Sequence, residues 1–207
     1  MLHPFDFEEF LHAQGRNDLV EALQQIPFDN LAYAPLMEQF QTFLTIGGMP
    51  EVVQQFVSEQ NTANLPEIYA IIWQTYRDDV EKYAANPKER NLIRYLMQSA
   101  PALLDRTNFS KFANQQYAAR AVGEGFRTID QTRLFKLIYP TTRTAPPIIT
   151  EIRRRPRLQM LDTGLWLHIL GSQHEVLLMD NLENVQSGKV VQHMAAQEYQ
   201  AQFYLPN

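Results

Sequence analysis

Apolar residues recur at helical spacing along the first half of the chain. Phe7-Glu8-Glu9-Phe10-Leu11 sets two carboxylates in what reads as a first helical turn, where they complement the helix dipole, and Gly15 stops that helix. Pro35 and Pro66 each stand where proline suits a first helical turn. In the helix opened by Pro66, Ile68, Ile72, Tyr76 and Val80 recur every four residues as one apolar stripe, while Arg77, Asp78, Asp79, Glu81 and Lys82 mostly face elsewhere. Asn86-Pro87 ends it.

A second unit begins there. Pro87 to Ala100 predicts a helix with Leu92, Ile93, Leu96 and Met97 inward, closed by Pro101. Asn108 caps a short helix through Phe109 and Phe112, and a longer helix carries Ala121, Ile129, Leu134, Leu137 and Ile138. Two apolar runs, Tyr139 to Thr144 and Leu158 to Leu161, flank Pro146-Pro147 and an arginine cluster, which predicts a two-stranded ribbon. Three helices followed by a ribbon is winged-helix order, a variant of the helix-turn-helix. The expected fold is mainly α, a helical segment and then a winged helix-turn-helix domain with a short β-ribbon.

Charge sharpens that division. From Met1 to Gln60 there are nine acidic residues and one basic one, Arg16. From Arg127 to Arg157 there are eight basic residues, Arg127, Arg133, Lys136, Arg143, Arg153, Arg154, Arg155 and Arg157, against Asp130 and Glu151. A local positive field attracts polyanions, so these eight are the candidate DNA contacts; an acidic face docked on a basic one accounts for the same segregation. With no cysteine, disulfides, thiolate zinc sites and cysteine nucleophiles are excluded. No run approaches the ~18 to 20 apolar residues that span a bilayer, and the first residues lack a signal peptide's basic and apolar regions, so no membrane partner and a cytoplasmic location are expected.

Six strings then occur in order: "HPFDFEEF" (His3 to Phe10), "GGMPEVV" (Gly47 to Val53), "YRDDVEKY" (Tyr76 to Tyr83), "LIYPTT" (Leu137 to Thr142), "PRLQMLDTGL" (Pro156 to Leu165) and "GKVVQHMAAQE" (Gly188 to Glu198). Together they resemble the bacterial and archaeal AAA+-like ATPases whose C-terminal domain of unknown function is expected to be nuclease-like. The resemblance implies a lid-like segment at 1–85, a winged-helix domain at 86–172 and the start of a truncated nuclease-like domain at 173–207. It also implies that Gly48, Met49 and Pro50 face a nucleotide, because a Gly-x-Pro element in the lid of related ATPases packs near adenine. As a helix junction the same residues release one helix and start the next.

The catalytic parts of such an enzyme are not in the chain. A P-loop needs G-x-x-x-x-G-K-S/T to surround the phosphates and hold magnesium, and Glu183 to Val190 has only Gly188-Lys189. Val176-Leu177-Leu178-Met179-Asp180 imitates the apolar strand and acid of a magnesium site without a preceding P-loop. Gln197-Glu198 matches the nuclease-like pattern, but Gln192 stands where many relatives carry glutamate, and Glu198 alone cannot assemble a metal site. His3, His12, His168, His174 and His193 lack i, i+4 pairing with carboxylates, and no catalytic or metal-ligating residue is assigned.

The expected function is therefore noncatalytic, a fragment of an AAA+-like ATPase acting through binding of a protein partner or of DNA. Two alternatives stand beside it: an ATPase component completed in trans by a P-loop core polypeptide, which alone would bring in ATP and magnesium as cofactors, and an independent winged-helix regulator. The helix from Gly188 to Phe203 exposes Val190, Val191, Met194, Ala195 and Phe203 unless covered, which predicts a homo-oligomer or packing back onto the winged-helix domain.

Overall fold

The computed structural model describes residues 3–143, 145–174 and 185–203 of the 207-residue chain. It is mainly helical with one small antiparallel sheet, and it divides into two compact units, residues 1–71 with 162–207, and residues 72–161.

The first unit starts with α1 (Phe7–Ala13) and α2 (Asn17–Gln24), followed by α3 (Tyr33–Ile46) and α4 (Pro50–Glu59). Asp6 caps α1 by accepting from the Glu9 amide at 2.8 Å while the Glu9 side chain accepts from the Asp6 amide at 3.0 Å. This reciprocal capping box adds to the dipole effect read from the sequence and sets the start of the helix at Phe7. Phe10 packs its ring against Phe43 of α3 and Phe56 of α4, with centroids 5.0 and 6.4 Å apart, and Phe7 meets Phe40 edge-on at 5.3 Å. Leu11, Leu19, Val20 and Leu36 form the adjoining apolar cluster. Two helices from the far end of the chain complete the unit, α8 (Thr163–Leu170) and α9 (Val185–Phe203). Val190 and Met194 of α9 are buried, and α9 packs on both α8 and α3.

The second unit contains α6 (Pro87–Ser99), strand β1 (Asp105–Arg106), a 3-10 turn (Phe109–Lys111), α7 (Ala119–Gln131), β2 (Phe135–Ile138) and β3 (Arg157–Met160). The sheet order is β1-β3-β2, both pairs antiparallel, with Phe135 opposite Met160 and Ile138 opposite Arg157. Leu92, Ile93, Leu96 and Met97 of α6 are buried, as their spacing predicts. Phe126 of α7 joins that core, stacking on Phe109 at 5.6 Å and meeting Phe112 edge-on at 4.9 Å.

Several sequence expectations are corrected. The long helix does not reach Ile138: it ends at Gln131, Arg133 turns the chain at φ +63, and Leu137 and Ile138 lie on β2. The ribbon strands are Phe135–Ile138 and Arg157–Met160, so Tyr139 to Arg143 belong to the connection. Leu134, Leu137 and Ile138 have helical spacing, but an apolar run as short as Leu134 to Ile138 suits a strand equally, and pairing with β3 decides for the strand. Asn108 does cap a helical segment, but a single 3-10 turn.

The unit boundaries also differ from 85/86 and 172/173. One lies within α5 (Leu65–Glu81), between Ile71 and Ile72, and the other follows Leu161. Asn86-Pro87 does not end α5, which stops at Glu81, but opens α6, with Asn86 capping it by accepting from the Glu89 amide at 2.9 Å, and a helix start need not be a unit boundary. α8, assigned from sequence to residues 86–172, packs on α3 instead.

Candidate functional site

Residues from four of the six strings meet in the first unit. Gly47, at φ +67, ends α3, and its amide donates to the Phe43 carbonyl at 2.8 Å. The Gly48 amide donates to Asp162 Oδ2 at 2.7 Å, and its carbonyl accepts from the Phe5 amide at 2.7 Å. A Cβ on Gly47 would overlap the Asp162 carboxylate, and one on Gly48 would overlap the Phe5 carbonyl. Close approach of backbone on both sides therefore requires glycine here. Met49 is buried, and Pro50 opens α4 at a position where its missing N–H costs nothing.

Asp162 caps α8, accepting from the Leu165 amide at 2.8 Å as well as from Gly48, and Gln197 Nε2 of α9 lies 3.3 Å away. Gln197 Oε1 in turn accepts from the Thr163 amide at 2.8 Å and from the Thr163 hydroxyl at 3.0 Å. The same hydroxyl meets His193 Nδ1 at 2.9 Å, and the His193 ring stacks on Trp166 with centroids 4.8 Å apart. With its one proton directed at Gln197, the hydroxyl receives the proton of His193 Nδ1. Burial pushes the Asp162 carboxyl up to about 6, against the opposing pull of the Leu165 and Gly48 amides and Gln197.

Two further contacts tie the same elements. Glu198 Oε1 accepts from the Phe7 amide at 2.9 Å; burial, and after it the nearby Asp6 and Glu9, push Glu198 up to about 7. The Tyr69 hydroxyl donates to the Ile46 carbonyl at 2.6 Å, and its ring stacks on His168 at 5.0 Å. Burial holds Tyr69 well above and His168 below their ordinary values.

Among the described residues no buried side-chain nitrogen or oxygen lacks a hydrogen-bond partner. The arrangement around Asp162 is thus a closed latch that joins the α3–α4 junction, the start of α8 and one face of α9. From the sequence, Gln197 stands only as half of a Gln197-Glu198 pair matching the nuclease-like pattern, and His193 as uninformative. Their i, i+4 spacing, on a helix that had to meet the Asp162-Thr163 cap, was the available signal. Of the three residues expected to face a nucleotide, Gly48 has both backbone groups engaged and Met49 is buried. Pro50 lines an apolar groove of about 480 Å³ shared with Phe5, Val53 and Val57.

The expectation that no histidine pairs with a carboxylate at i, i+4 is corrected: His12 lies 4.0 Å from Glu8 one turn earlier. Those two make only a pair, and no cluster of three or more His, Cys, Asp or Glu suited to a metal occurs among the described residues. Val176 to Asp180 and Glu183 lie outside the described residues.

In the second unit the eight basic candidates separate into two groups. Arg127 is exposed on α7, and Arg143, Arg153, Arg154 and Arg155 are exposed on the β2–β3 connection. Arg133 at the exit of α7, Lys136 on β2 and Arg157 on β3 are only half-exposed. Arg120, which sequence reasoning missed, lies exposed on α7 in one stripe with Glu124, Arg127 and Gln131, and pairs with Glu124 at 3.3 Å. Glu151 is the acid within the connection; hydrogen bonding from Thr142, and then the Arg154 charge, hold it below its ordinary range.

Residues 37–175 match the model of a family described as a domain of unknown function, DUF8612. No curated protein and no solved structure matches the chain.

Proposed function

The chain belongs to the DUF8612 family, a domain of unknown function, and we propose that its second unit is a winged helix that binds double-stranded DNA without catalysis. The order α6, 3-10 turn, α7 and then the β2–β3 ribbon supports the winged-helix reading, with the middle helix reduced to one turn. α7 is then the recognition helix. Arg120, Glu124, Arg127 and Gln131 recur at i, i+4, i+7 and i+11, opposite the buried Val122, Phe126 and Ile129. Arginine and glutamine on such a stripe can read base edges, while arginines on the wing grip phosphates.

The observation that carries the proposal is the β2–β3 connection, where Arg143, Arg153, Arg154 and Arg155 are exposed and Glu151 is the opposing acid. Phosphate contacts make affinity fall with salt by about 0.9 in log–log slope for each one formed. A fluorescently labelled short duplex titrated with the full chain at several salt concentrations measures that slope. Replacing the four arginines with serine should flatten the slope and weaken low-salt binding at least tenfold. Unchanged low-salt affinity in that variant would end the DNA reading.

A second reading keeps the first unit as the lid of an ATPase whose P-loop core is another polypeptide, with ATP and magnesium bound there. It draws on the resemblance to AAA+-like ATPases and on the apolar groove at Pro50, whose walls suit a flat base. ATP hydrolysis by a mixture of the two polypeptides, abolished by Val53→Glu in the groove, is the outcome it requires.

A further inference from the structure

The β2–β3 connection carries apolar side chains that the DNA reading does not use. Ile148, Ile149 and Ile152 are 63, 55 and 72% exposed. Single exposed isoleucines are ordinary, but three within five residues form a patch, and such patches mark contact surfaces. The connection is not free to fold them inward. The Glu151 amide donates to the Pro140 carbonyl at 2.9 Å, and the Thr141 hydroxyl to the Ile149 carbonyl at 3.0 Å. The Thr142 hydroxyl donates to Glu151 Oε1 at 2.7 Å, and the Arg154 amide to the Glu151 carbonyl at 2.9 Å. These bonds hold the backbone on both sides of the isoleucines, so their outward position belongs to the fold of the connection.

The partner must accept branched apolar side chains and a surrounding positive charge from Arg143, Arg153 and Arg155 at the same place. Anionic membranes take up amphipathic helices with lysine or arginine on the polar face and tryptophan, phenylalanine or leucine on the apolar one. The present segment is not helical, and its apolar residues are β-branched and stiff at χ1. The DNA minor groove suits these features better: its negative potential draws in arginine, and short apolar wedges can open a base step from that side. Resting on the DNA reading above, we propose that Ile148, Ile149 and Ile152 enter the minor groove as a wedge, unstack a pyrimidine–purine step and kink the duplex.

The test uses the full chain and short A·T-rich duplexes with 2-aminopurine at each TA step in turn, since its emission rises on unstacking. Binding of the unaltered chain should raise emission severalfold at one step. A variant with Ile148→Ser, Ile149→Ser and Ile152→Ser should lose that rise and keep the salt slope, because its arginines remain. Tight, salt-dependent binding with no rise at any step would overturn the wedge and leave the DNA reading intact. Failure of the unaltered chain to bind any duplex at low salt would overturn both. Isoleucine-dependent binding to phosphatidylserine vesicles in place of duplex would assign the patch to a membrane and overturn the wedge.

Discussion

Replacement of Asp162 by asparagine makes the energetics of the latch measurable. The carboxyl is fully buried, no cation among the described residues opposes the effect, and burial raises it from the ordinary 3.8 to about 6. A group raised on folding contributes its full stability below the unfolded value and loses it as pH rises through the folded one. At roughly 1.4 kcal/mol for each unit between 3.8 and about 6, the whole loss is about 3 kcal/mol, most of it falling between about pH 4 and about pH 7. Asparagine cannot ionise, so Asp162→Asn removes this slope. It also turns one acceptor into a donor that faces the amide of Gly48 or Leu165, a pH-independent cost of about 1 to 3 kcal/mol. The variant should therefore be clearly less stable near pH 4, and its deficit should shrink by about 3 kcal/mol or reverse towards pH 7. Urea unfolding over that range, followed by Trp166 emission in a Trp73→Phe background, reads the difference. Glu198 is present in both proteins and cancels. A deficit of the same size at both ends of the range would refute the argument, since it would mean that folding leaves the Asp162 carboxyl unshifted.

Glu198→Gln tests the neighbouring contact. Glu198 is also raised, to about 7, so its contribution is lost as pH rises, and the glutamine variant should gain on the unaltered protein in thermal melts above that pH. Gly48→Ala should cost about 3 kcal/mol or more in urea unfolding, because the added carbon displaces Phe5 and strains two backbone hydrogen bonds, one of them to a carboxylate. Gly15→Ala, at φ +71 with open space around it, should cost only about 1 to 2 kcal/mol; equal losses at the two glycines would contradict the close-packing explanation. Tyr69→Phe leaves the Ile46 carbonyl without its 2.6 Å donor and should destabilise by about 1 kcal/mol, and no loss would show that the hydroxyl is dispensable.

Local rules were enough for much of the chain. The start of α1, the inward face of α6 and the cap at Asn108 follow from side chains within one or two turns of each other, interactions a linear sequence displays. The concentration of charge between Arg127 and Arg157 was equally plain, because net charge depends on composition alone.

What a linear reading cannot display is which segments meet. Leu134 to Ile138 is a run with helical spacing yet short enough for a strand, and antiparallel pairing with Arg157–Met160 chose the strand. Asp162 stood in the sequence only within the Pro156 to Leu165 string, and packing of α8 on α3 brought its carboxylate to the Gly48 amide, 114 positions earlier in the chain. Gln197 and His193 became latch residues for the same reason: a polar side chain is costly to bury alone, and its partner came from a distant helix. For the eight basic residues the sequence could state the charge, but the sheet and the end of α7 decided that Arg133, Lys136 and Arg157 are half covered while α7 presents Arg127 and the connection presents Arg143, Arg153, Arg154 and Arg155, with three isoleucines, to solvent.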